Sequence, residues 1–254
     1  MTWRIAAASE VGTSHSATGG TCQDSCLALV ESDPNKSPFL TLFVADGAGS
    51  ALLGGTGAQL AMESAAAFVA RRRAQTPECA LDHAWAVECI AAIRAKILAA
   101  ASQNAAQPRD YACTFLGVIA SPAVTLLMQI GDGAIVIDIG HGLEVPITPM
   151  AGEYVNMTHF VTDNNAIDIL AVTLLPARAD KIAVFSDGLQ RLALNMETHT
   201  AHAPFFAPFF TALAAATQAQ EAHLQNGLTR FLQSQAVNDR TDDDKTLALA
   251  YWVG

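Results

Sequence analysis

A chain of 254 residues that is 51% hydrophobic and 15% charged has ample apolar material for a large core, and lacks the low hydrophobicity and high charge of a disordered polypeptide. Fourteen Lys and Arg stand against 24 Asp and Glu, a formal charge of −10, so the cationic footprint of a nucleic-acid binder is missing. No apolar run approaches the roughly 20 residues that span a bilayer.

The opening MTWRIAAASEVG has one Arg and a short Ala run, followed at once by an acid and a turn. It reads as a first strand over 5–9 rather than an export signal, and a cytoplasmic protein is the expectation. A polar stretch, GTSHSATGGT, comes next, then strands over 25–30 and 39–45 separated by the turn-forming SDPNKSP. A helix is predicted over 56–73, with Ala58, Ala61, Ala65 and Phe68 on one face. The basic cluster Arg71-Arg72-Arg73 closes it, where cations complement the helix dipole. A second helix is predicted over 81–101, where Leu81, Trp85, Cys89, Ile93 and Ile97 recur every fourth residue.

From Tyr111 the texture changes to short apolar runs, ACTFLGVIA, VTLLMQI and AIVIDIG, joined by Ser121-Pro122 and Gly131-Asp132-Gly133. This pattern predicts an antiparallel meander. Strand-like runs follow at 167–175 and 181–186, a helical region at 204–235 and a closing strand at 246–253. The order predicts one α+β sandwich domain over 1–254, not a parallel doubly wound sheet. Five cysteines (Cys22, Cys26, Cys79, Cys89 and Cys113) are an odd number without a CxxC pair, which predicts free thiols in a reducing compartment.

The placement of the acids carries the chemistry. Asp46 follows the apolar run LFVA, Asp132 lies between two apolar runs, Asp187 follows the run ending in VFS, and Asp242-Asp243-Asp244 precede the last strand. Asp24 sits where the polar loop enters the second strand. Magnesium and manganese want oxygen ligands in near-octahedral geometry, and carboxylates at strand ends are rigidly placed to converge on such ions. A glycine directly after the acid lets the backbone turn sharply and offers its carbonyl. Any single Asp-Gly is also a strong hairpin signal, and the triple Asp reads equally as a solvated loop. The ordered set, not a member of it, points to metals.

In that order the chain resembles the metal-dependent protein phosphatases of the type-2C family, through CQDS, FVADGAGS, CTFLGVI, QIGDGAIV, VFSDGL and DDKT. The resemblance implies a four-layer α-β-β-α sandwich, two antiparallel sheets flanked by helices. It implies Mg²⁺ or Mn²⁺ at a dinuclear centre, with a third ion in bacterial relatives. Asp46 would bridge the two ions and the Gly47 carbonyl would bind one. Asp187 and Asp243 would complete the other ion's protein shell. Asp132 would help hold the third ion with Asp187, Asp24 would act directly or through water, and Thr114 would lie close by. The family's phosphate-clamping Arg falls at Gly19, and a His used as general acid in some relatives falls at Ala48.

His15, in the first polar loop, reads either as a contact to phosphate and proton donor to the leaving alkoxide, or as a surface histidine without a role. The GEYVNMTHFVT segment lies where the family carries a variable flap, and places Asn156, Thr158 and His159 either against substrate or on a plain strand. The function implied is a serine/threonine protein phosphatase using a metal-activated water. Its partners would be a phosphorylated protein and a cognate Ser/Thr kinase, with neither nucleic acid nor membrane. Two rival readings are a pseudophosphatase that binds phosphoproteins without cleaving them, and a hydrolase of small phosphorylated metabolites.

Overall fold

The structure is a computed structural model that describes residues 1–31, 37–75, 80–150 and 158–254. Strand β1 (Thr2–Glu10) leads through a one-turn helix α1 (Thr13–Ala17) into β2 (Ser25–Glu31) and β3 (Phe39–Ala45). Helices α2 (Gly54–Gln75) and α3 (His83–Gln103) follow. The predicted N-terminal edge of the second helix moves to Asp82, whose carboxylate caps α3 by accepting the Trp85 N–H at 2.8 Å. At the end of α2, Arg73 pairs with Glu31 at 3.1 Å and lies over the Phe39 ring, so this basic cluster ties a helix end to the sheet.

Next come β4 (Phe115–Ala120), β5 (Thr125–Ile130), β6 (Ala134–Asp138), β7 (Ala171–Leu175) and β8 (Lys181–Phe185). The chain closes with helix α4 (Gln190–Ala193), a small hairpin of β9 (Leu194–Asn195) and β10 (Thr200–Ala201), then helices α5 (Ala203–Ala215), α6 (Glu221–Leu232) and α7 (Gln235–Asn238), and β11 (Lys245–Val253). Among the described residues, no helix is long and apolar enough to cross a membrane.

Two main antiparallel sheets form, in the orders β2-β3-β4-β5-β7 and β1-β11-β8-β6. Side-chain alternation builds the layers. On β3, Leu40, Leu42 and Val44 face the other sheet, where they meet Ile135, Ile182 and Val184, while Phe43 and Ala45 face α2 and α3. On β8, Ala183 and Phe185 turn outward onto Phe206 and Phe210 of α5 and Leu228 of α6. Helices therefore cover both outer faces, giving the expected four layers. The central strands are buried on both sides, β3, β4, β5 and β6 along their whole length.

The meander expectation is corrected in part. β4 and β5 do form a hairpin, but β6 leaves that sheet and pairs with β8 in the other one. Gly131-Asp132-Gly133 is thus a crossing between sheets, not a hairpin turn. Gly131 adopts φ +115°, a region open to glycine, and a Cβ there would stand 2.5 Å from Thr114 Cγ2. The strand expected over 167–175 is shorter: residues 161–169 form turns, and only Ala171–Leu175 pairs, with β5. Cys22, Cys26, Cys89 and Cys113 are free thiols, and Cys79 lies outside the described residues.

Phe185 is fully buried, with its ring centroid 5.9 Å from that of Phe206. Phe185→Ala should cost about 3–5 kcal/mol of stability, measured by urea denaturation, because the cavity it leaves lies between a sheet and a helix layer that cannot close up fully.

Candidate active site

Antiparallel pairing sends alternate strand ends to the same rim. Ser25 pairs with Ala45, Phe115 with Ile130, Ala134 with Phe185 and Glu10 with Lys245. The residues just beyond those pairs become neighbours: Asp24, Asp46, Thr114, Asp132, Asp187 and Asp243. Five of them, all but Asp24, line a cavity of about 200 Å³, together with Gly47, His15 and Thr158. Gly49, Ser50 and Phe160 complete much of its wall.

Backbone contacts fix the acids in place. Thr114 holds Asp46 from both sides: the Asp46 N–H donates to Thr114 Oγ1 at 3.0 Å, and the Thr114 N–H donates to the Asp46 carbonyl at 2.8 Å. The Gly47 N–H donates to the Gln23 carbonyl at 3.2 Å, joining the first two acidic motifs. After Asp187 the chain must pass against the last acidic segment, and Gly188 allows it, since a Cβ there would stand 2.0 Å from the Asp244 carbonyl oxygen. Asp24 is outside the lining of this cavity and buried, and the Ser186 hydroxyl donates to its Oδ2 at 2.7 Å.

Crowding shows in the protonation of these groups. Burial, followed by the charges of Asp24 and Asp187, holds the Asp46 carboxyl well above the usual carboxylate range, and a hydrogen bond with Asp187 raises it further. Burial pushes Asp187 up to about 6, with Asp132 and Asp243 adding to the rise. Burial also pushes Asp24 up to about 7, against the hydrogen bonding of Ser186 and Thr246. Asp24 Oδ1 and Asp187 Oδ1 are buried without a hydrogen-bond partner. Burial and the neighbouring carboxylates together make these groups harder to ionise than a free carboxyl.

Three features of the site escaped the sequence. Asp244 is buried and turned away from the cavity, where it accepts the Gly12 N–H on Oδ1 and the Gln23 N–H on Oδ2, both at 2.6 Å. Helix α1 was hidden because TSHSA has no apolar periodicity, yet it brings His15 to the cavity. Lys245 is fully buried, donating to the Val11 carbonyl at 3.0 Å and to Asn238 Oδ1 at 2.9 Å. Buried partners for Asp244 and Lys245 have no local signature in a polar run.

The flap segment is only partly described. Thr158 lines the cavity and its hydroxyl donates to Asp132 Oδ2 at 2.6 Å, so it is tied to an acid of the site. His159 Nδ1 stands 3.7 Å from Asp163 Oδ2. Asn156 lies outside the described residues.

A family model described as Protein phosphatase 2C matches residues 11–233. Over 253 residues, 100% of each chain, the sequence is 52% identical to Serine/threonine-protein phosphatase 3 of Escherichia coli strain K12. The chain belongs to the protein phosphatase 2C family. Its fold agrees with solved structures of low sequence identity. The S. agalactiae serine/threonine phosphatase superposes with a TM-score of 0.65 at 16% identity, covering 99% of this chain and 100% of that one. RsbX, solved in complex with magnesium, superposes with a TM-score of 0.56 at 14% identity, covering 98% and 94%.

The 2C family model ends before Asp243, so the last acid joins the site through the pairing of β11 with β1 and β8 rather than through the matched segment. The family is metal-dependent, and the donors here suit a hard divalent cation: they are carboxylate oxygens, two of them buried without partners. Among the described residues, no group of three or more His, Cys, Asp or Glu side chains is arranged to hold a metal ion.

The raised acids make a prediction for the metal-free protein. A carboxyl whose folded pKa exceeds its unfolded value near 4 stabilises the fold most below that value, and the contribution is lost as pH rises to the folded pKa. For Asp24 the window runs from about pH 4 to about pH 7. In EDTA, Asp24→Asn should therefore show a shallower fall of Tm between pH 4 and pH 7 than the unsubstituted protein.

Proposed function

We propose that this chain is a metal-dependent serine/threonine protein phosphatase that removes phosphate from phosphoserine and phosphothreonine, working in the cytoplasm with residues 1–254 as one catalytic domain. The carrying observation is the meeting of Asp46, Asp132, Asp187 and Asp243 from four separate strand ends around one cavity. The full-length likeness to a protein named a serine/threonine-protein phosphatase supports the same reading.

Asp46 and the Gly47 carbonyl would hold the paired ions, Mg²⁺ or Mn²⁺, with Asp187 and Asp243 completing the set. Asp132 would serve a third ion together with Asp187, and Asp24, outside the cavity lining, would act through water. When bound, such ions neutralise the phosphate oxygens and lower the pKa of the attacking water. Thr114 keeps Asp46 in register, Thr158 orients Asp132, and Phe160 walls part of the cavity from solvent. The substrate would be a phosphorylated protein, and a Ser/Thr kinase its natural counterpart.

The thiols support a mechanism without a cysteine nucleophile. Burial, then the charges of Asp24 and Asp244, raises the Cys22 thiol far above its ordinary value, and burial raises Cys113 likewise. A thiol that keeps its proton is neither nucleophile nor leaving group.

Hydrolysis of p-nitrophenyl phosphate should require Mn²⁺ or Mg²⁺ and be abolished by EDTA. Asp46→Asn should lower kcat at least ~100-fold, the scale of one preorganised electrostatic group. Activity that survives both treatments would rule out the metal mechanism. The absence of the family's Arg at Gly19 favours the pseudophosphatase reading on one point only. Calorimetry decides between them, because a phosphatase should take up two or more Mn²⁺ per chain and Asp46→Asn fewer.

A further inference from the structure

We infer that His15, positioned by Asp244, is the catalytic proton donor to the seryl or threonyl oxygen that leaves phosphorus; the inference rests on the phosphatase reading above. His15 lines the same cavity as Asp46, Asp187 and Asp243. Among the described residues around that cavity there is no Lys or Arg, and His15 is the side chain there that can carry a positive charge. Asp46, Asp132, Asp187 and Asp243 are the residues assigned above to holding cations. The Thr158 proton is used on Asp132.

The ring is held in a defined orientation. His15 Nδ1 is buried and stands 3.0 Å from Asp244 Oδ2, without a hydrogen bond of its own. Because Nδ1 faces Asp244, Nε2 is the nitrogen left for chemistry at the cavity. Asp244 cannot swing away, since its two oxygens also accept the Gly12 and Gln23 N–H groups. The helix carrying His15 is fixed by the same segment: the Ser14 N–H and hydroxyl both donate to the Asp242 carbonyl, at 2.9 and 2.7 Å. The imidazole side chain is 27% exposed, so it can recover a proton from solvent after each turnover.

The chemistry needs such a group. An alkoxide is a poor leaving group and must gain a proton as the phosphorus–oxygen bond breaks. In the proposed step the water oxygen forms the new bond to phosphorus and the bond to the seryl oxygen breaks with its electron pair. The Nε2 proton passes to that oxygen. The proton lost by the attacking water balances the one that later restores the ring.

The test compares two substrates in the Mn²⁺-loaded protein, a phosphoserine peptide and p-nitrophenyl phosphate, whose phenolate leaves without needing a proton. His15→Ala should lower kcat on the peptide ~100-fold, the usual scale for a general acid, and at least tenfold more than on p-nitrophenyl phosphate. Equal losses, no loss, or any smaller difference would overturn the proposal. The phosphatase reading fails differently, as an unsubstituted protein with no metal-dependent turnover of either substrate. His15→Ala leaves the backbone ties of α1 in place, so its Tm should hold. Asp244→Asn should show the same substrate bias, and adding it to His15→Ala should cost nothing more on the peptide; an additive loss would remove Asp244 from the positioning role. If Asp244→Asn does not fold, Asp244→Glu replaces it, with the same two outcomes.

Discussion

Carboxylates gathered around a small cavity repel one another, and the fold must hold them there against that repulsion. It does so with antiparallel register. Each acid stands one or two residues beyond a hydrogen-bonded strand pair, which limits how far it can withdraw. The residual repulsion appears in Asp24, Asp46 and Asp187, whose carboxyls ionise less readily than a free one. A divalent cation would relieve that repulsion, which links the electrostatics of the rim to the metal dependence of the 2C family.

Adjacent acids in the last motif have opposite duties. Asp243 faces the cavity, while Asp244 turns inward and gathers Gly12, Gln23 and His15. The alternation of side chains along extended backbone separates them by one residue. A local triple-Asp run therefore supplies both a candidate ligand and the anchor of the N-terminal loop. Gly188 has its place in the same economy of space, letting the β8 exit run against the Asp244 carbonyl.

Much of the fold was legible because local pattern and final structure agree. Residues 39–45 are a strand as read, the two long helices are displaced by only a few residues, and the closing strand gains one residue at its start. The acidic motifs were legible as a set, since each follows or precedes an apolar run that ends at one rim. Where the pattern misled, two structures shared one signal. A glycine-flanked Asp between doubly buried strands looks the same whether the chain turns back or crosses to a second sheet. The short α1 and the upstream half of 167–175 lack periodicity long enough to distinguish helix, strand and turn.

From its residues alone the chain determined its α+β class, the strands that end in acids and the oxygen-rich chemistry those acids offer, because apolar period and acid placement are local properties. Tertiary structure decided the rest. Which acid of the last motif faces the cavity, that Asp244 faces away, and that a histidine from the short helix α1 arrives beside it depend on pairings between segments more than 200 residues apart. Such contacts follow from sheet register, and register is fixed only when both sheets have closed on a common core.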